Sequence, residues 1–106
     1  MDERRRAPRY QMFAEAEILE PKTQTKLQAR TSDVSLVGCF MNAAQSFPQG
    51  TEVRLKLIKG EVAFTTRGVV ARTLPAGMGV SFFDVKRDQQ DLLRKWLTAV
   101  SQGTPS

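Results

Sequence analysis

Between residues 53 and 57 the chain alternates without a slip: Val53, Leu55 and Leu57 are apolar, Arg54 and Lys56 charged. A period of two is that of a strand with one face in a core and the other in water. The same alternation puts Met12, Ala14, Ala16 and Ile18 on one face of a first strand, and sets Leu27, Ala29 and Thr31 against Gln28 and Arg30 in a second. Between them Glu20-Pro21-Lys22-Thr23-Gln24 has the composition of a turn. Gly38 breaks the chain before a short apolar strand, Cys39 to Met41, and the polar stretch from Asn42 to Gly50 is a loop leading to the 53–57 strand. After a hairpin-like turn at Lys59-Gly60, the segment Val62 to Leu74 is long for one strand. It carries Gly68, which predicts a bend or bulge of the kind that lets a sheet curl. Pro75-Ala76-Gly77 then turns the chain into Met78 to Phe83.

Beyond Asp84 the period changes. Leu92, Leu93, Trp96, Leu97 and Val100 form a stripe at helical spacing opposite Asp91, Arg94 and Lys95, predicting an amphipathic helix over Arg87 to Val100. Asp84 or Asp88 is placed to cap its start, and the tail Ser101 to Ser106 to fray. The fold class is therefore mostly β: a small antiparallel β-barrel of about six strands, with the C-terminal helix laid over one opening or face. All 106 residues belong to one domain, because the chain is too short for two cores. Residues 1–10 form a flexible arginine-rich segment, 11–83 the barrel and 87–100 the helix.

Composition changes this picture mainly by exclusion. The chain has no histidine and one cysteine, Cys39, so Ser-His and Cys-His catalytic arrangements and a zinc site lack their parts. No catalytic residue, metal ligand or cofactor is assigned, and the domain is not expected to be an enzyme. Cys39 reads as a small apolar residue packed in a strand. No apolar run approaches the ~20 residues that span a bilayer. The basic start is followed by Tyr10-Gln11-Met12-Phe13-Ala14-Glu15 rather than a signal core, so a cytoplasmic protein without membrane insertion is expected. Sixteen basic against eleven acidic residues leave a charge of +5, which favours an anionic partner without choosing among nucleotide, nucleic acid and acidic membrane.

Two short stretches sharpen that choice. Arg4-Arg5-Arg6-Ala7-Pro8-Arg9 holds four arginines and no lysine, with a proline that stiffens the segment. Planar guanidinium forks suit phosphate and a guanine edge better than diffuse charge does. Arg5 and Arg9, roughly 13 Å apart in an extended segment, reach two sides of a stacked ligand. Asp33-Val34-Ser35-Leu36-Val37-Gly38 places Asp33 and Ser35 at i and i+2, projecting to one side. A carboxylate there accepts from guanine N1–H and its amino group, a hydroxyl bonds a phosphate or ring acceptor, and Gly38 permits close ligand approach. Taken singly, a basic tail is usually solvated charge and Asp-x-Ser-x-x-Gly usually turn chemistry.

In conjunction, Arg5-x-x-x-Arg9 and Asp33-x-Ser35-x-x-Gly38 resemble the signature of PilZ domains, bacterial receptors for cyclic diguanylate (cyclic di-GMP). The resemblance covers roughly Glu3 to Val100 and includes the glycine-flanked late strand Gly77-Met78-Gly79-Val80-Ser81-Phe82. It implies that Arg5 and Arg9 clamp phosphates and guanine Hoogsteen edges while Asp33, Ser35 and Gly38 close the pocket from the barrel. A basic residue at Arg4 resembles members that take a stacked, intercalated dimer of the ligand. Arg6 is a ligand contact or a solvated charge; Arg72, whose plane suits stacking on a base, and Gly79 are further candidates. The resemblance implies no reaction and no cofactor. Without ligand, four like charges within six residues repel and keep the segment mobile; a dianionic nucleotide draws it onto the barrel and alters the surface shown to an unidentified downstream protein. The chain is expected to act in trans or within a larger assembly. Two other readings stand beside this one: a PilZ-fold protein-interaction adaptor with weak or no nucleotide binding, and a small basic nucleic-acid-binding barrel. The last wants aromatics interleaved with basic residues, whereas Phe40, Phe47, Phe64, Phe82, Phe83 and Trp96 sit mainly in apolar contexts that look like core.

Overall fold

The structure is a computed structural model that describes residues 7–103. Strand β1 is Tyr10–Gln11, β2 Glu15–Glu20, β3 Thr25–Val34, β4 Gly38–Asn42, β5 Glu52–Lys59, β6 Val62–Leu74 and β7 Gly77–Phe83, followed by helix α1, Arg87–Gly103. All pairings are antiparallel, in the order β1-β3-β2-β5-β6-β7-β4, and β3 also pairs with β4. That last pairing joins the ends of the sheet, so β2 to β7 make a closed six-stranded barrel and β1 is an additional strand laid along β3. Closure removes the free edges that an open sheet of this size would expose.

The alternating positions fill the interior as their period demands. Ala16, Ile18, Val53, Leu55, Leu57, Phe64, Val70, Met78 and Val80 are buried, with Arg54 and Lys56 exposed between them. The helix follows the same logic at its own period. Leu93 and Leu97 are buried while Arg94 and Lys95 are exposed, and Trp96 meets Phe64 with ring centroids 6.4 Å apart. The Phe82 ring centroid lies 5.4 Å from that of Phe64, so three aromatic rings in tilted contact join the helix to the barrel.

Several details depart from the sequence expectation. Met12 to Ile18 is not one strand: β1 and β2 lie in line along β3, interrupted at residues 12–14. The bulge in β6 lies between Val70 and Arg72, not at Gly68; a Cβ at Gly68 would stand 2.7 Å from Val80 Cγ1, so that glycine serves close packing inside the barrel. Neither expected aspartate caps the helix. Asp84 takes up a left-handed backbone (φ 54°) as β7 ends and its carboxylate accepts from Arg67 Nη1 at 2.9 Å, while Asp88 lies in the first helical turn. The helix also continues past Val100 through Ser101 to Gly103, leaving residues 104–106 of the tail outside the described range.

Cys39 is buried in β4, as its reading as a small apolar residue required. Burial pushes its thiol up to about 12 from an ordinary value near 9.0, and the nearby Asp33 charge adds to the rise. The folded state thus keeps a proton that the unfolded chain loses. Its contribution is complete below pH about 9 and falls as pH rises toward about 12. Denaturant titrations between pH 8 and 11 should therefore show the native protein losing stability more steeply than Cys39→Ala, by up to about 1.4 kcal/mol per pH unit. Parallel slopes would show that the thiol titrates alike in both states.

Candidate ligand-binding site

Simple alternation along β3 would have sent Asp33 into the core, because Leu27, Ala29 and Thr31 already face inward. It does not. The ladder to β4 slips between Thr31 and Asp33, leaving Ser32 as an extra residue, and the next inward side chain is Val34, buried three positions after Thr31. A bulge of this kind shifts parity by one and re-aims every residue beyond it. Asp33 consequently faces outward, its side chain 31% exposed. The bulge in β6 does the same for Arg72: Phe64, Gly68 and Val70 face inward at even spacing, and the slip after Val70 turns Arg72 out into solvent.

Cross-strand register assembles these residues. Asp33 pairs with Phe40, Phe40 with Gly79 and Gly79 with Arg72, a row crossing β3, β4, β7 and β6 on the outer face. Three interstrand steps span roughly 15 Å. Phe40, expected in the core, lies between the inward-facing Cys39 and Met41 and so belongs to this surface. A Cβ at Gly79 would come within 3.6 Å of the Phe40 ring and 3.9 Å of the Arg72 Cβ; the glycine leaves the middle of the row open.

Beside the row stands the N-terminal segment. β1 pairs Gln11 with Asp33 and Tyr10 with Val34, bringing Arg9 Nε to 3.5 Å from Asp33 Oδ1. That oxygen is buried and, among the described residues, has no hydrogen-bond donor. The ion pair is longer than a charge-assisted hydrogen bond, and with Arg9 62% exposed it contributes at most about 1 kcal/mol. Asp33 thus presents an acceptor that no described residue fills. Arg4, Arg5 and Arg6 lie outside the described residues.

What fixes β1 in place is Thr31, which the sequence marked only as one more alternating position. Residues 12–14 run opposite 31 and 32, three against two, so the backbone ladder is broken here. The fully buried Thr31 hydroxyl repairs it, accepting from Ala14 N at 2.8 Å and donating to Met12 O at 2.7 Å. Thr31 N donates to Ala14 O at 2.9 Å. Phe13, the residue pushed out, is 61% exposed.

Ser35 and Gly38 do not share the outward face of Asp33. The chain leaves its extended course after Val34, and Ser35 is 4% exposed. Its hydroxyl accepts from Val37 N at 3.1 Å and lies 3.3 Å from Gly38 O, to which its own N–H donates at 2.8 Å. These bonds build the β3–β4 turn. Gly38 starts β4, and a Cβ there would stand 2.6 Å from the Val80 carbonyl oxygen, so the close approach it allows is that of β7. In this geometry both residues hold the turn that sets Asp33 and Phe40 in register. Two clefts, of about 540 and 810 Å³, lie elsewhere on the barrel, and the row itself is open surface.

A closed barrel with an added strand before it, a helix after it and an arginine–aspartate pair at their junction define the architecture. The family model described as PilZ domain matches residues 3–99, and the chain belongs to the PilZ domain family. No curated protein matches it. Among solved structures it is similar to the Bacillus subtilis inhibitor of motility MotI/DgrA, with TM-score 0.79 and 18% identity over 98% of this chain but 54% of that one. The chain thus spans about half of that protein. It is also similar to the PilZ domain of YcgR from Escherichia coli, determined with c-di-GMP, with TM-score 0.75 and 14% identity over 95% and 94% of the two chains. The PilZ domain of CeSA from a cellulose-synthesizing bacterium gives TM-score 0.69 and 12% identity over 89% and 98%. Identities this low carry the fold alone. Among the described residues no helix is long and apolar enough to cross a membrane.

Thr31→Val keeps the side-chain shape and removes both hydroxyl bonds, leaving the Ala14 N–H and Met12 carbonyl short of a partner in the interior. Thermal or urea unfolding is expected to show a loss of about 1–3 kcal/mol, and amide exchange in residues 10–14 to rise more than in β5. An unchanged exchange pattern would mean that β1 is held by other means.

Proposed function

We propose that the domain is a receptor for cyclic di-GMP, which binds across the outer row and is gripped from its other side by the arginine segment. The observation that supports this most directly is Asp33 Oδ1, a buried carboxylate oxygen with no donor among the described residues, beside the exposed guanidinium of Arg9. A guanine supplies the donors that such an oxygen lacks, through N1–H and its amino group, and presents its Hoogsteen edge and phosphate to arginine. Membership of the PilZ family and the likeness to a PilZ domain determined with c-di-GMP agree with this reading.

The roles follow from position. Asp33 accepts from one guanine, Arg9 and Arg5 clamp phosphate and Hoogsteen edge, and Arg72, at the far end of the row, offers its plane to a base. Phe40 gives the row an apolar floor kept open by Gly79. Ser35 and Gly38 act through the turn. Arg4 serves the phosphates of a second, intercalated ligand molecule, giving two ligands per domain. Binding neutralises mutually repelling arginines and orders the arginine segment ahead of β1 against the barrel, changing the surface offered to a downstream protein. No chemical step is part of this function, which belongs in the cytoplasm.

Isothermal titration with cyclic di-GMP tests the reading. Affinity is expected to be micromolar or tighter with two ligands per domain, and largely abolished by Arg5→Ala or Arg9→Ala. Asp33→Ala should weaken it about 10- to 150-fold, the equivalent of about 1.5–3 kcal/mol for a charge-assisted hydrogen bond. Binding that survives all three substitutions would refute the site, and an absence of binding by the intact domain would favour the adaptor. Backbone NMR order parameters for the residues from 3 up to β1 should rise on titration; unchanged values would dispose of the ordering step.

A further inference from the structure

On the opposite wall of the barrel a second row crosses the outer face. Lys26 pairs with Leu19, Leu19 with Arg54 and Arg54 with Arg67, running over β3, β2, β5 and β6. Next to it Glu17 pairs with Lys56 and Lys56 with Thr65. These residues line a groove of about 810 Å³, bordered by Val85 and Lys86 where β7 gives way to the helix.

Arg54 and Arg67 sit directly opposite each other, an arrangement that destabilises a sheet. Arg67 is fixed in place, its guanidinium 4.9 Å from the centroid of the Phe83 ring and 2.9 Å from Asp84 Oδ2. Lys26 has Glu17 at 3.8 Å. Among the described residues Arg54, Lys56 and Lys86 have no carboxylate partner, so the groove keeps an uncompensated charge of three within a frame set by its own ion pairs. The fold does not need this charge: Val53, Leu55 and Leu57 supply the inward face of β5 whatever stands between them.

We infer that this groove docks an acidic protein segment carrying an apolar side chain, at a site distinct from the cyclic di-GMP row. Carboxylates of the segment pair with Arg54, Lys56 and Lys86, and its apolar residue packs against Leu19 and Val85. Nucleic acid fits less well for two reasons on the surface itself. Glu17 and Asp84, each paired with a groove cation, interrupt the continuous basic track that a phosphate backbone follows but leave room for spaced carboxylates, and among the described residues the neighbouring aromatic, Phe83, is covered by Arg67 rather than free for base stacking. The two rows share strands β3 and β6 but face opposite ways, so both can be occupied at once.

The probe is a fluorescein-labelled twelve-residue peptide alternating Glu and Leu, followed by anisotropy at about 50 mM salt with the full chain. Binding should weaken at least tenfold in Arg54→Glu/Lys56→Glu, weaken when the leucines are replaced by serine, and fall with salt. In calorimetry the double variant should keep its cyclic di-GMP titration, so failure of the groove and failure of the nucleotide site are read separately. Arg54→Glu alone should raise the melting temperature by about 2–4 °C, because it turns a like-charge pair into an opposite one. Equal peptide binding by the double variant overturns the inference. So does tighter binding, lost in the same variant, of a single-stranded oligonucleotide or of vesicles of 30% phosphatidylglycerol in phosphatidylcholine, which would reassign the groove to nucleic acid or membrane.

Discussion

Two hydrogen bonds made by one buried hydroxyl set the geometry on which the proposed nucleotide site rests. Where the β1–β2 line runs three residues against two of β3, the regular ladder cannot close, and Thr31 supplies an acceptor for Ala14 N and a donor for Met12 O. A buried polar group without partners costs more than a bond returns, so the site could hold neither a valine nor an unbonded threonine without loss. With that repair β1 lies against Val34 and Asp33, and Arg9 arrives beside the carboxylate. The same short stretch of β3 slips against β4 on its other edge, which turns Asp33 outward.

Bulges on two strands therefore do the same work at both ends of the outer row. In each, a run of inward-facing residues at even spacing ends with one unpaired residue, and the next polar side chain is delivered to the surface. Without the slips, an aspartate and an arginine would point into a core of Met41, Val70 and Val80, where unpaired charge is prohibitive. The barrel tolerates the irregularity because closure on both sides of β3 and β6 holds the flanking ladder. Gly38 and Gly79 complete the arrangement in different ways, one by letting β4 approach β7, the other by leaving the Phe40 ring uncovered.

The opposite wall shows what regular alternation alone achieves. Arg54 and Lys56 are outward because Val53, Leu55 and Leu57 are inward, and no bulge intervenes between β2 and β5. Its charge is thus a direct projection of the sequence, whereas that of the row bearing Asp33 is a product of pairing. One barrel carries a surface of each kind, facing apart, which suits the proposed nucleotide on one side and the inferred acidic segment on the other.

By itself the sequence determined the succession of strands from β3 to β7, the turn at Pro75, the amphipathic helix and the inward face of β5, because each follows from a period of two or 3.6 and from local breakers. It also made Arg9 and Asp33 conspicuous by chemical type. Only the tertiary structure decided which way Asp33 and Arg72 face, since parity across a bulge depends on the partner strand and no local pattern records the slip. The same holds for Phe40, whose apolar character suggested the core while its register put it on the surface. Ser35 and Gly38 show the converse: residues whose types suggested ligand contact are taken up by the turn and by the β4–β7 seam. Thr31 was legible as a buried position but not as a tether, because its two partners lie seventeen and nineteen residues away and meet it only once the barrel has closed.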